Sequence, residues 1–299
     1  NWNVACGFST STLEAFRLYL AANFTPSQLA SQFNIPNIAT FNFKTWLSAN
    51  YGITTVAQFN AGYPSTLLYP QFQRSMEADL HEFHSTIRAR LRAYSPPALY
   101  SGNGLLRNDY DRALLDLFDF ANSEMPNVYA YGALDEQDAV VFKFGEAYGI
   151  PVVGVGYGLN NANIRDNNRT NFMRCLIATA YACGQLMQAP WNVWDGASGR
   201  YYADHRIYRA SYHFIRDHAD LFDDYVATSQ VGLLWNTDGA IADANSDAAY
   251  LLANNIPFDL VLLGDRYPYA TFSPPAVAAR YDKIVRCSAL GGWSAANQA

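Results

Sequence analysis

Two indoles, an amide and a carboxylate stand within five positions of this sequence, in the segment PWNVWDG that follows the apolar run QLMQA. They are Trp191, Asn192, Trp194 and Asp195. Indole rings can stack on the C–H faces of sugars, while amide and carboxylate groups hydrogen-bond hydroxyls. An Asx turn before Gly196 is the alternative role for Asp195. The combination indicates a site for a neutral, hydroxyl-rich ligand at the exit of a strand.

A further acidic side chain, Glu124, ends the apolar run in FANSEMPN. Hydrolysis of a glycosidic bond usually needs two carboxyl groups, one as the acid and one as the nucleophile or base. Glu124 is the first candidate for such a catalytic group, and Asp195 is the second. The alternative role for Glu124 is to cap a helix after Pro126.

The elements that must position these residues alternate between strand and helix from about residue 97. Strands are predicted in 97–104, up to about 124, in 150–158 and from 185, with helices in 135–149 and 169–184. This alternation predicts βα units and a parallel sheet, whose site lies at the carboxyl ends of the strands. The substrate-binding candidates at those ends are Asn103, Tyr157, Asn160, Trp191, Asn192 and Trp194.

The order of elements predicts two domains of the α/β class. Residues 1–226 are assigned to a (β/α)8 TIM-type barrel that is incomplete at its N-terminal side and carries a helical insertion at about 10–95. A doubly wound sheet is the alternative. Residues 227–299 are assigned to a flavodoxin-like α/β domain, also incomplete, with strands in 229–236, 257–265 and 281–290. The opening NWNV and the final GGWSAANQA suggest a chain that continues at both ends.

Composition excludes several classes of function. The net charge of −6 and the pI near 5.3 disfavour a nucleic-acid or anionic-membrane partner. The longest apolar runs are too short for a membrane-spanning helix. Without a G-x-G-x-x-G loop, nucleotide binding has little support, and no cofactor is expected. Localisation stays open, with an extracellular or periplasmic site slightly favoured over a cytoplasmic one.

Metal binding is not expected either. The four cysteines, Cys6, Cys175, Cys183 and Cys287, lack C-x-x-C spacing and are expected to be buried free thiols. His81 and His84 stand three residues apart on a predicted helix and are expected to be exposed surface histidines.

Several segments in order resemble glycoside hydrolase family 42, the β-galactosidase-like enzymes. They are CGFSTSTLEAFRLYLAANFTPSQLASQFNI, YSPPALYSGNG, AYACGQLMQAPWNVWDG and VGLLWN…NIPFDLVLLGD. The resemblance implies a barrel followed by a glutamine-amidotransferase-like domain, and a carbohydrate substrate. It is also compatible with a homo-oligomer.

The catalytic pair of that family is not matched. The family's acid/base Glu corresponds to Trp2 in NWNV, so Trp2 and Asn3 become substrate-binding candidates. The segment VVGVGYGLNN corresponds to the strand that carries the family's nucleophile, and it contains no acidic residue. We therefore expect a glycoside hydrolase-like protein acting on a poly- or oligosaccharide through other carboxylates. A non-catalytic carbohydrate-binding or assembly protein is the alternative. An amidotransferase centred on Cys287 is disfavoured because VRCSAL lacks a nucleophile elbow.

Overall fold

The structure is a computed structural model, and it describes residues 8–62, 65–104, 112–125, 136–156, 171–189, 193–194, 200–201, 205–223, 228–236, 241–263 and 279–286. The chain divides into two compact units, residues 1–95 and residues 96–299. Both sheets predicted from the sequence fall in the second unit. The predicted domain boundary at 226/227 stays a prediction.

The first unit is helical, as the sequence predicts for about 10–95. Its helices are α1 (Thr10–Asn23), α2 (Pro26–Phe33), α3 (Phe43–Tyr51), α4 (Val56–Gly62) and α5 (Tyr69–Arg92). The start of α2 shows why the chain turns helical at that point. Thr25 and Gln28 form a reciprocal capping box, and Pro26 occupies the first turn, where its missing N–H costs nothing.

Aromatic side chains form the core of this unit. Phe16, Phe43, Phe59 and Phe72 are fully buried, and the ring centroids of Phe43 and Phe72 lie 4.8 Å apart. The buried indole of Trp46 donates a hydrogen bond to the Phe33 carbonyl at 2.9 Å. Many of the rings in the first unit therefore serve packing. In the described part of the chain, no helix has the length and apolar character needed to cross a membrane.

The second unit begins with a four-stranded parallel sheet of β1 (Ser101–Gly104), β2 (Phe120–Met125), β3 (Val152–Gly156) and β4 (Leu186–Gln188). Neighbours in the sheet are also neighbours in the chain, in the order β1-β2-β3-β4. Helices α6 (Glu136–Tyr148) and α7 (Asn171–Ala182) follow β2 and β3. Gly149 and Gly184 follow these helices with φ of 70° and 68°, the left-handed conformation that glycine adopts without strain.

Three short elements come next: β5 (Val193–Trp194), β6 (Arg200–Tyr201) and α8 (His205–Asp217). The strands β5 and β6 pair antiparallel. A three-stranded parallel sheet is then built from β7 (Val231–Asn236), β8 (Phe258–Leu263) and β9 (Lys283–Arg286), with helix α9 (Ile241–Ala253) between β7 and β8. Its strand order is β8-β7-β9, so the chain reverses its direction of progress across the sheet at β7.

Helix α6 packs against both parallel sheets of the second unit. A side chain at Gly154 of β3 would meet Phe142 at 2.9 Å, and the Phe144 ring lies 5.6 Å from that of Trp235 in β7. This explains why residues 138–145 of α6 are all buried, a pattern expected of a helix enclosed on several sides. The barrel and the flavodoxin-like fold stay predictions.

Candidate functional site

The two faces of the four-stranded sheet differ in character. On β2, Ala121, Ser123 and Met125 are buried on the face that packs against α6, while Asn122 and Glu124 are half-buried on the opposite face. Side chains alternate between faces along each strand, and the register carries this alternation across the sheet. The opposite face, called here the polar face, carries Ser101, Asn103, Asn122, Glu124 and Gln188, with Phe120, Val153, Val155 and Leu186.

Glu124 and Asn103 meet near the carboxyl ends of β1 and β2. The Asn103 Nδ2 lies 3.5 Å from the Glu124 Oε1, which is the long limit of a hydrogen bond. Two residues earlier on each strand, the Asn122 side-chain amide donates a hydrogen bond to the Ser101 hydroxyl at 3.1 Å. The amides of two strands therefore line up beside one half-exposed carboxylate, in an arrangement able to hydrogen-bond a ligand with hydroxyl groups.

The exit of β4 is attached to helix α8. The Tyr212 hydroxyl donates a short hydrogen bond to the Met187 carbonyl and accepts one from the Ala189 N–H at 3.3 Å. Burial raises the pKa of Tyr212 to about 12, so the phenol keeps the proton that it donates. These bonds flank Gln188, which pairs with Val155, and Val155 pairs with Glu124. Glu124, Val155 and Gln188 therefore form one row across β2, β3 and β4. Tyr212 holds the backbone in place at the end of β4, where the chain leaves this row.

Most of the other predicted site residues lie outside the described part of the chain: Trp2, Asn3, Tyr157, Asn160, Trp191, Asn192 and Asp195. Trp194 is described only in its backbone, which belongs to β5 and pairs with Arg200. The structure therefore brings Asn103 and Glu124 together, and the catalytic and binding roles of all these residues stay predictions.

Among the described residues, no group of three or more His, Cys, Asp or Glu could hold a metal ion. His81 and His84 are half-buried rather than exposed, and burial together with the nearby His81 lowers the pKa of His84. Cys175 and Cys183 are free thiols, but Cys175 is exposed, so its expected burial is wrong. It lies on the face of α7 away from the buried residues Met173, Leu176, Ile177 and Ala180.

Two features were not anticipated from the sequence. One is a cleft beside α7 and α8, lined by Tyr181, Tyr208, Arg209, Tyr212, His213, Ile215 and Arg216. The strong helical periodicity of HRIYRASYHFIRD was a signal for its rows of aromatic and basic residues. The other is a buried carboxylate, Asp259, and its signal was a single acidic residue in the apolar strand PFDLVLLGD.

Comparisons with known proteins suggest a distant relationship to glycoside hydrolases. The chain is 28% identical over 286 residues to an α-agarase of Thalassotalea agarivorans and 27% identical over 286 residues to an α-agarase of Alteromonas agarilytica. Each alignment covers 87% of this chain but only 19% of the relative, so the chain spans about a fifth of these proteins. No protein-family model matches the chain, and no solved structure matches it significantly. The resemblance to family 42 is not confirmed.

Proposed function

We propose that this chain is part of a glycoside hydrolase that acts on a poly- or oligosaccharide, with Glu124 as a principal carboxylate. The α-agarases named above make an agar-type galactan the first substrate to test. Because the chain spans only 19% of each relative, the proposal concerns the part of the site that these residues supply.

The observation that carries the proposal is the contact between Glu124 and Asn103 near the strand ends. Glu124 lies on the half-exposed polar face, with its Oε1 at 3.5 Å from the Asn103 amide. A neighbouring amide can orient a carboxylate and also donate to a sugar hydroxyl. In parallel α/β folds, loops and side chains at the carboxyl ends of strands build the site.

The proposed architecture is a (β/α)8 barrel, and the strand order supports it. In a barrel each strand lies beside the next one in the chain and runs parallel to it, whereas a doubly wound sheet reverses its order at a switch point. The strands β1 to β4 follow the first rule. The order β8-β7-β9 follows the second, which supports a flavodoxin-like second part. In such a barrel the polar face would point to the interior, and its residues at the carboxyl ends of the strands, Asn103 and Glu124, would lie at the mouth where catalytic side chains are found.

Glu124→Gln is the test of this function, with hydrolysis of agarose oligosaccharides measured by released reducing ends. Loss of a general acid or base lowers turnover by about 10²–10⁴-fold. The melting temperature should stay nearly unchanged, because among the described residues the Glu124 side chain accepts one hydrogen bond, from Asn103, and that bond is long at 3.5 Å. Glu82→Gln, at an exposed position of α5, is the matched control and should retain full activity. Full activity in Glu124→Gln would refute a catalytic role.

A second candidate, carbohydrate binding without cleavage, is favoured by one observation. Glu124 is the only acidic residue in the described strands β1 to β4, while hydrolysis usually needs two carboxyl groups. If the wild-type chain binds agarose oligosaccharides in calorimetry but releases no reducing ends, and Asn103→Ala weakens that binding, this second function is the correct one.

A further inference from the structure

Helix α8 and helix α7 border a cleft with a volume of about 460 Å³. Its lining is the set of seven residues given above: three tyrosines, two arginines, one histidine and one isoleucine. Sites for small organic ligands usually have volumes of roughly 300–1,000 Å³. The α7–α8 cleft, as this set is called below, is therefore large enough for one or two sugar rings.

The cleft is positively charged in an acidic chain. Arg209 is exposed and, within the described part of the chain, has no ion-pair partner. Arg216 donates to the Asp217 carboxylate at 3.1 and 3.0 Å, but both side chains are largely exposed, at 67% and 58%. Such surface pairs contribute little stability, so an incoming anion can compete with Asp217 for the guanidinium. No lining residue is acidic, although the chain carries a net charge of −6.

The tyrosines add apolar ring surface beside these cations. Tyr208 is buried, whereas Tyr181 and Tyr212 are half-buried, and the rings of Tyr208 and Tyr212 are nearly perpendicular with centroids 5.9 Å apart. A half-buried phenol offers a face for C–H groups and an edge for hydroxyl groups. Guanidinium groups bind planar or tetrahedral oxyanions through paired N–H donors.

The cleft is connected to the end of the sheet that carries Glu124. Tyr212 lines the cleft, and its hydroxyl bonds the backbone at Met187 and Ala189 on either side of Gln188. Gln188 and Glu124 both pair with Val155, so they lie in one row across β2, β3 and β4. A ligand in the cleft would therefore lie beside the exit of β4.

We propose that the α7–α8 cleft binds the anionic substituent of an acidic saccharide, a sulfate or a carboxylate, with Arg209 and Arg216 as its partners and the tyrosines against the ring. The saccharide part of this inference rests on the proposed function, while the anion part rests on the cleft itself.

The test compares binding of a sulfated galactan oligosaccharide with binding of the same oligosaccharide after chemical desulfation, by isothermal titration calorimetry on the full chain. The wild type should bind the sulfated form at least about tenfold more tightly, as one or two charge-assisted hydrogen bonds would give. Arg209→Gln/Arg216→Gln should lose this preference. Arg90→Gln/Arg92→Gln removes the same two charges from the end of α5 and should keep it. A uronate-bearing oligosaccharide distinguishes carboxylate from sulfate recognition.

Several results would overturn the inference: no preference in the wild type, an equal loss in the control pair, or an unchanged preference in the cleft pair. Arg209→Gln alone leaves the contact between Arg216 and Asp217 intact and serves as the second variant if the double variant fails to fold; it should still lower the preference. Glu124→Gln separates the two proposals, because it should abolish turnover and leave the preference intact. A Glu124→Gln chain that remains active and still prefers sulfate would refute the catalytic role of Glu124 and leave the inference about the cleft intact.

Discussion

Asp259→Ala probes the buried charged cluster that joins helix α6 to the second sheet. Asp259 lies on β8, is only 4% exposed, and accepts hydrogen bonds from four side chains. The donors are Lys143 at 3.3 Å, Ser229 at 2.8 Å, Arg280 at 2.7 Å and Tyr281 at 3.1 Å. Since Lys143 belongs to α6, the carboxylate links this helix to the strands around it.

The expected loss of unfolding free energy follows from the charged groups that the substitution leaves buried without Asp259. Lys143 is 8% exposed and would keep only Glu146, at 2.7 Å, as its ion-pair partner among the described residues. Removing one member of a buried ion pair costs about 3–5 kcal/mol. We expect the low end, about 3 kcal/mol, because Glu146 remains and because the Arg280 side chain is 55% exposed and can be hydrated. For a unit of this size the melting temperature should fall by roughly 6–12 °C.

Urea unfolding followed by tryptophan fluorescence is the assay, since Trp235 on the adjacent strand β7 is 1% exposed. The midpoint should move to lower urea with an unchanged slope. Glu14→Ala removes the exposed pair with Arg17 and should leave the midpoint where it is. A free energy of unfolding for Asp259→Ala within about 0.5 kcal/mol of the wild-type value would mean that the cluster contributes no net stability, as is the case for some buried ion pairs.

Two further predictions concern packing and pH. Gly145→Ala should destabilise the chain by about 1–3 kcal/mol, because the new Cβ would lie 2.2 Å from Val152 Cγ2. Gly62→Ala is the control, since its new Cβ would meet open space and should not destabilise the chain. A Gly145→Ala chain as stable as the wild type in a urea titration would contradict this packing. Burial raises the pKa of Cys183 to about 11, and burial followed by the charge of Asp259 raises that of Tyr281 to about 12. Because both pKa values are higher in the folded chain than in the unfolded chain, the protonated forms contribute stability that is fully present below about pH 9 and is lost as the pH rises toward 12. Urea midpoints that do not fall over that pH range would refute this prediction.

The secondary structure of the described segments was largely predictable from local signals. The predicted strand 150–158 contains β3, and the predicted helix 135–149 contains α6, which ends before Gly149 as its left-handed conformation requires. Periodicity could not show that α6 contacts two sheets. Burial on several sides leaves no polar stripe to give its orientation, and the partner strands β3 and β7 are separated by many residues in the chain.

The proximity of Asn103 and Glu124 was predictable from the sequence, whereas the α7–α8 cleft was not. The rule that strand ends build the site placed Asn103 and Glu124 at one edge of the sheet, and the structure puts their polar atoms 3.5 Å apart. The cleft was missed because it depends on Tyr181 of α7 and the residues of α8 facing the same space. Which helices border a cleft is a matter of tertiary packing, and helical periodicity gives only the face on which each residue lies.

The chemistry of the polar face also explains why binding and catalysis must be tested separately. Its asparagines, Asn103 and Asn122, and its single acid, Glu124, can together recognise hydroxyl groups, but one carboxyl group cannot act as both members of the usual pair. A second carboxyl group would have to come from elsewhere in the protein, and Asp195, outside the described residues, is the candidate from the sequence. Tyr212 fixes the start of the segment that leads to it, at Met187 and Ala189. A catalytic pair would therefore depend on α8 as well as on the sheet, whereas simple binding at Glu124 would not.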